Sequence, residues 1–293
     1  MIYRCLVDDK IVHEEALTQG VCAGHDMVEH KPEKEIVKHV GIQIPTEGHT
    51  QPEAYDNHLG AVMRVGALQE RWRYERRPIR YEFYWYTTGR LLTQMAREKL
   101  IKTALHAGLD YVIMFDDDML LPYDFFEKML IDMESNPNID VLGALAFMRV
   151  PPHYPVMYTV EEGYDSINRK DYYLNRVVKQ YPRNKLVECD AVGFGGVCIK
   201  MDKVREMKEP YFMSTTPTGE DIFFCANIKK QTNARIFMDT RIKLAHLGNP
   251  VIVDEDYFDK WAKDNNHSLE DLPFKYAVDE YDVAHPLLAE DKV

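Results

Sequence analysis

Three consecutive aspartates, Asp116, Asp117 and Asp118, follow the apolar run Tyr111-Val112-Ile113-Met114-Phe115. Carboxylates clustered at the end of a buried strand repel one another unless a proton or a cation intervenes. Hard divalent ions such as Mg²⁺ or Mn²⁺ are the natural counter-charge, and substrate phosphates complete their coordination shell. On an extended chain Asp116 and Asp118 would face one side and Asp117 the other. The competing expectation is a solvated acidic turn before the helix near Pro122, because Asp is common in turns and caps. A second acidic pair, Glu220-Asp221 after Gly219, precedes Ile222, Phe223, Phe224, Ala226 and Ile228. Both carboxylates then sit in the first turn of a helix, where the macrodipole favours the ionised form. A carboxylate held ionised suits proton removal from a hydroxyl, with plain N-terminal capping as the alternative. His246, in Leu244-Ala245-His246-Leu247-Gly248, ends a short strand. A lone histidine there is more often a hydrogen-bonded rim residue than a ligand, but it could bring a nitrogen donor to a carboxylate site.

A sparser set is Cys5, His13, Cys22 and His25. Cys22-Ala23-Gly24-His25 has the two-residue gap of a zinc knuckle, without a second tight pair to match it. The expectation divides between a structural Zn²⁺ and a small hairpin lid with incidental thiols.

The elements that position these groups follow from periodicity. Val37–Ile44 alternates and ends at Pro45-Thr46, predicting a first core strand. Pro52–Trp72 has apolar residues at helical spacing (Leu59, Val62, Met63, Val65, Leu68), and Arg80–Tyr86 is a short aromatic strand expected to be sheet core rather than a stacking platform. Leu91 to Leu105 forms the clearest helix, with Gly108 suited to its C-terminal cap. Tyr111–Phe115 is a strand, Pro122–Met133 a helix and Ile139–Ala146 another strand. Arg149–Tyr158, with three prolines, is a loop or edge segment. Val187–Lys200 reads as one strand interrupted by Gly193, Gly195 and Gly196. Glu220–Lys230 is a short helix, and Arg235–Asp239 and Arg241–His246 are short strands. This alternation predicts an α/β fold with a mainly parallel sheet, whose ligands sit outside the carboxyl ends of its strands. The chain divides into a small N-terminal segment (1–37), a main domain (38–253) and an acidic tail (254–293) expected to pack on it.

Composition bounds the chemistry. With 293 residues and 45% apolar content the chain is long enough for a large core and is not disordered. No apolar run approaches a membrane span, and Met1-Ile2-Tyr3-Arg4-Cys5 lacks a signal peptide's apolar stretch. Five scattered cysteines give no disulfide framework, so the expected compartment is the cytoplasm. Thirty-six basic against forty-eight acidic residues give a net charge of −12, which disfavours tight nonspecific binding to nucleic acid.

Taken in order, these motifs resemble a family. From about Val40 to Gly248 the chain is similar to nucleotide-sugar glycosyltransferases of the GT-A (Rossmann-like) fold, closest in pattern to family-2-like enzymes. The resemblance rests on Ala96-Arg97 in the helix before the triplet and on Leu109–Asp118 as the DxD strand. Gly193-Phe194-Gly195-Gly196 resembles the family's acceptor-side loop, Gly219-Glu220-Asp221 its ED motif and His246 its late metal-ligand histidine. It implies Asp118, Asp116 and His246 on Mn²⁺ or Mg²⁺, with Asp116 and Asp117 beside the donor. It further implies Pro45 and Thr46 at the nucleotide base and Arg97 on the base or diphosphate. Asp221 becomes the catalytic base and Glu220 positions the acceptor. The implied reaction moves a hexose from a nucleoside-diphosphate sugar, UDP-sugar first, to a hydroxyl of a glycan, small molecule or hydroxymethylated DNA base, with inversion preferred. Two departures stand out. Glu98 follows Arg97 where the family has Asn, and only Lys229 and Lys230 stand in for a basic element after Asp221. Two rival functions remain. One is a phosphohydrolase or nucleotidyltransferase built on Asp116, against which Leu120 occupies a position where haloacid-dehalogenase-type phosphatases want Thr or Val. The other is a non-catalytic carbohydrate-binding relative.

Overall fold

The computed structural model describes residues 2–5, 11–13, 27–29, 36–46, 50–75, 77–89, 91–165, 170–214, 219–248, 252–265 and 276–278. At the N-terminus β1 (Ile2–Cys5), β2 (Ile11–His13) and β3 (Met27–Glu29) pair antiparallel in the order β2-β1-β3. The register sets His13 opposite Ile2, three residues along from Cys5. Cys22 and His25 of the zinc expectation lie outside the described residues.

Then follow β4 (Ile36–Pro45), α1 (Pro52–Tyr74), β5 (Ile79–Thr88), α2 (Thr93–His106), β6 (Tyr111–Phe115), β7 (Met119–Leu120), α3 (Phe125–Ser135) and β8 (Val141–Leu145). The second half comprises β9 (Met157–Asp165), β10 (Lys170–Val177), β11 (Leu186–Cys189), β12 (Ala191–Val192), β13 (Gly196–Lys200), α4 (Met201–Glu206) and α5 (Glu220–Thr232). It closes with β14 (Ile236–Lys243), β15 (Ala245–Leu247), β16 (Ile252–Val253), α6 (Glu255–Asp264) and β17 (Tyr276–Val278).

The central sheet has eight strands in the order β17-β11-β14-β8-β13-β6-β4-β5. β4 pairs parallel with β5 and β6, and β8 pairs parallel with β14, while β11 and β13 run against their neighbours. Six of the eight strands thus share one direction, the mainly parallel α/β sheet anticipated above. β6 and β8 are buried along their whole length, as strands covered by helices on both faces must be. Successive β6 side chains serve opposite faces: Val112 and Met114 join a core with α2, α4 and α5, whereas Ile113 and Phe115 join one with α1 and α3. No described helix is long and apolar enough to cross a membrane.

Two expectations are corrected. Helix α1 exists, but Leu59 (48% exposed) and Met63 (72%) face outward, and the buried stripe is Ala54, His58, Ala61, Val65, Leu68 and Trp72. Small alanines let the helix approach the sheet, and His58 is drawn inward because its Nε2 meets the Met119 carbonyl at 2.7 Å. The single strand expected over Val187–Lys200 is three. β11 and β13 lie apart in the central sheet, while β12 joins β9 in a second sheet of order β10-β9-β12.

Candidate active site

Because β4 and β6 are parallel neighbours, their carboxyl ends open side by side. Pro45 and Thr46 leave one, Asp116, Asp117 and Asp118 the other, and with His246 they line one cleft of about 380 Å³. The triplet is not an extended stretch as anticipated. The Met119 amide closes onto the Asp116 carbonyl at 3.2 Å, turning the chain directly into β7. Asp116 and Asp118 therefore meet different partners.

β7 pairs with β15, placing His246 opposite Met119, and the Leu247 amide donates to the Asp118 carbonyl at 2.9 Å. His246 Nε2 lies 3.1 Å from Asp118 Oδ2, and Nδ1 lies 2.9 Å from the Phe147 carbonyl. A carbonyl can only accept, so Nδ1 carries a proton and Nε2 faces a carboxylate. That contact needs either a second proton on the ring or a cation between the two groups. Burial alone would lower the His246 pKa, but the Asp118 carboxylate outweighs it and raises it. Burial likewise opposes ionisation of Asp118, and His246 with Arg149 brings its pKa below the ordinary value. Arg149 Nη1 donates to Asp118 Oδ2 at 3.0 Å from a side chain 55% exposed, so water screens this pair.

Arg97 does not point into the cleft as a ligand for diphosphate would. It is buried on α2, with Nη2 2.7 Å from Asp116 Oδ1 and Nη1 2.5 Å from Glu220 Oε1. Its guanidinium lies 5.4 Å from the Phe194 ring centre. One cation thus links the triplet to the second acidic motif, and Asp221 adjoins them. Three carboxylates around one guanidinium leave negative charge in excess. Burial pushes the Asp116 pKa up against the pull of Arg97. Asp221 accepts from the Ile222 amide at 2.7 Å, and burial, with Glu220 and Asp116 adding to it, pushes its carboxyl up to about 6. Desolvation outweighs the macrodipole, so the pKa rises where the helix terminus alone would lower it, and the ionised form still dominates at neutral pH. Glu220 is taken up by Arg97 and the Ser214 hydroxyl (3.4 Å).

Among the described residues no three His, Cys, Asp or Glu side chains form a ready cation cage. Asp118 and His246 nonetheless offer one oxygen and one nitrogen donor at a common point. The Phe147 carbonyl holds Nδ1, which leaves Nε2 as the ring nitrogen open to a cation, as ligating histidines are oriented. This donor set, in a locally acidic cleft, fits a divalent ion completed by phosphate oxygens and water; Asp116 also lines the cleft, with its Oδ1 bound to Arg97.

Gly193-Phe194-Gly195-Gly196 is buried and backs the site instead of lining the cleft. The Asp116 amide reaches the Gly195 carbonyl at 3.4 Å. Glu98 accepts from the Tyr211 and Phe212 amides at 2.9 Å each, holding the chain that leads toward α5, which accounts for its place beside Arg97. Lys229 is bound to Asp190 at 2.5 Å, so it does not supply a free cation to the cleft. Sequence reasoning missed Arg149, Gln51 and Thr93 at the cleft. Arg149 follows a buried strand's carboxyl end, the signal that could have found it; the other two carry none. Of the aromatic strand, Tyr81 is core, while Trp85 lines a second, apolar cleft of about 440 Å³ that shares Thr46 with the first.

No protein-family model and no curated protein sequence matches this chain. Among solved structures, A197 from STIV superposes with a TM-score of 0.49 at 17% identity, over 75% of this chain and 91% of that one. The catalytic domain of Drosophila beta1,4-galactosyltransferase 7, in complex with xylobiose, gives 0.38 at 14% identity over 72% and 71%. S. aureus TarS, residues 1–349, gives 0.37 at 13% identity over 68% and 57%. Likeness at this level assigns no activity to the present chain.

Proposed function

We propose that this protein is a metal-dependent glycosyltransferase that moves a sugar from a nucleoside diphosphate to a hydroxyl acceptor with inversion. The observation that carries the proposal is the meeting of Asp118 and His246 at the carboxyl end of a buried strand, in a cleft that all three aspartates line. Asp118 and His246 would hold Mn²⁺ or Mg²⁺, which when bound neutralises the charge on a diphosphate leaving group. Pro45 and Thr46 would border the donor's base across the cleft. Asp221, with its pKa near 6, is matched to accept the acceptor's hydroxyl proton at neutral pH. Glu220 would fix Arg97, and through it Asp116, rather than touch the acceptor. Against the rival built on an aspartyl nucleophile, Asp116 is tied to a buried guanidinium and shifted toward its neutral form, which weakens any nucleophilic attack.

A thermal-shift screen of UDP-, GDP-, dTDP- and CMP-sugars, each with and without Mn²⁺, tests the proposal. A UDP-sugar should stabilise the fold only with Mn²⁺, by about 2.7 kcal/mol at one hundred times its dissociation constant. Asp118→Ala should remove the metal-dependent part. No shift with any donor, or an undiminished shift in Asp118→Ala, overturns the assignment.

A further inference from the structure

His246 is oriented by a backbone carbonyl, so whatever holds that carbonyl holds the ring. Phe147 is fully buried and lies two residues beyond the carboxyl end of β8. Its ring stacks on Phe258 of α6, with centroids 5.1 Å apart and planes at 26°. The excursion after Phe147 carries Arg149 and is gripped by the same helix, since the His153 ring meets the Tyr257 and Trp261 rings edge-on at 5.1 and 5.4 Å. His153 Nδ1 in turn lies 2.9 Å from the Met148 carbonyl. On the other side β16, which runs into α6, pairs Val253 with His246 itself.

The helix is well anchored for such a task. The Glu255 carboxylate, 7% exposed, receives Lys243 at 2.7 Å, Arg183 at 3.1 Å and the Tyr181 hydroxyl at 2.9 Å. Asp254 caps the helix by accepting from the Tyr257 amide at 2.8 Å. We propose that α6 is the positioning element of the Asp118–His246 corner, with Phe258 acting through the Phe147 carbonyl on the His246 ring. Phe258 touches none of the reacting groups; it decides which nitrogen of His246 faces Asp118. The consequence for metal affinity rests on the function proposed above, whereas the consequence for the ring does not.

The test compares Phe258→Leu, which keeps an apolar filler without the stacked ring, with Ala262→Gly, which weakens the same helix and keeps the Phe258 ring. The first readout is the ring ¹⁵N spectrum of His246 at about pH 9, where a neutral imidazole reports its tautomer. The unsubstituted protein and Ala262→Gly should show the same single tautomer, and Phe258→Leu a mixture of tautomers. The second readout is Mn²⁺ affinity by calorimetry, expected to fall about tenfold or more in Phe258→Leu, the size of effect typical of groups that orient a ligand. Should Phe258→Leu fail to fold, Trp261→Leu, on a half-buried side chain, is expected to shift both readouts in the same direction. An unchanged tautomer in the folded Phe258 or Trp261 variant, or an equal change in Ala262→Gly, overturns the proposal. Absence of Mn²⁺ binding in the unsubstituted protein would instead count against the metal assignment, with the tautomer result still deciding the role of α6.

Discussion

Asp221 combines helix placement, burial and like-charged neighbours in one carboxyl group. Its pKa of about 6 means the base form dominates at neutral pH and is lost as the medium is acidified. The rate of a reaction that uses it should therefore fall below about pH 6. Asp221→Asn should lower kcat by about 10²–10⁴-fold and abolish that acidic limb, as pH–rate profiles of the two proteins would show. The same shift has an opposite signature in stability. A carboxyl whose folded-state pKa is raised adds stability below the unfolded value near 3.8, and that contribution disappears as pH rises through about 6. Asp221→Asn should thus melt at a higher temperature than the unsubstituted protein at pH 8 and not at pH 4, an inactive variant that is more stable. Arg97 belongs to the same scale. Removing it by Arg97→Ala strands Asp116 and Glu220 without their cation, which should cost about 3–5 kcal/mol in chemical denaturation. Arg97→Lys should recover little, since a single ammonium cannot span two carboxylates as the guanidinium does.

At the scale of elements, the site depends on how closely backbones approach. A Cβ on Gly193 would come within 2.7 Å of Val156 Cβ, and the Gly193 amide donates to the Val156 carbonyl at 2.7 Å. A β-branched neighbour held by its own backbone cannot step aside, so Gly193→Ala should destabilise the fold by about 1–3 kcal/mol and be visible as a lower denaturation midpoint. The glycines of this loop are there for packing. Their spacing was readable in the sequence, but their role was not, because a resemblance of motif does not say which side of a loop faces solvent. The same limit explains α1. The 3.6-residue period gave the helix, yet Leu59 and Met63 outbid His58 and Ala61 on hydropathy alone. The contact of His58 with the Met119 carbonyl comes from a residue 61 positions away. For the triplet, strand β6 was legible from five apolar residues, while the turn into β7 depends on pairing with β15, far along the chain.

For the molecule as a whole, the order of strands and helices was legible because each carries a local period. The sheet memberships of β11, β12 and β13 were not, since they arise from partners remote in sequence. Long-range placement also creates a second titrating group, on the side of the sheet facing α1 and α3. The Tyr81 hydroxyl on β5 donates to Glu134 on α3, and burial pushes the Glu134 carboxyl up to about 7 against Arg77 and Lys38. Its contribution to stability is complete below about 4.5 and is lost as pH rises through about 7. Glu134→Gln should therefore raise the melting temperature at pH 8 and leave it unchanged near pH 4.5. The central claim is that an acidic corner, drawn together from β7 and β15, holds a divalent cation against a nucleoside diphosphate. Crystals grown with UDP and Mn²⁺ test it most directly, through the anomalous signal of the metal. The account predicts a manganese peak bound to Asp118 and to His246 Nε2, with the pyrophosphate beside it and the base against Pro45 and Thr46. A nucleotide bound elsewhere, or manganese absent from that corner while UDP is present, would contradict it.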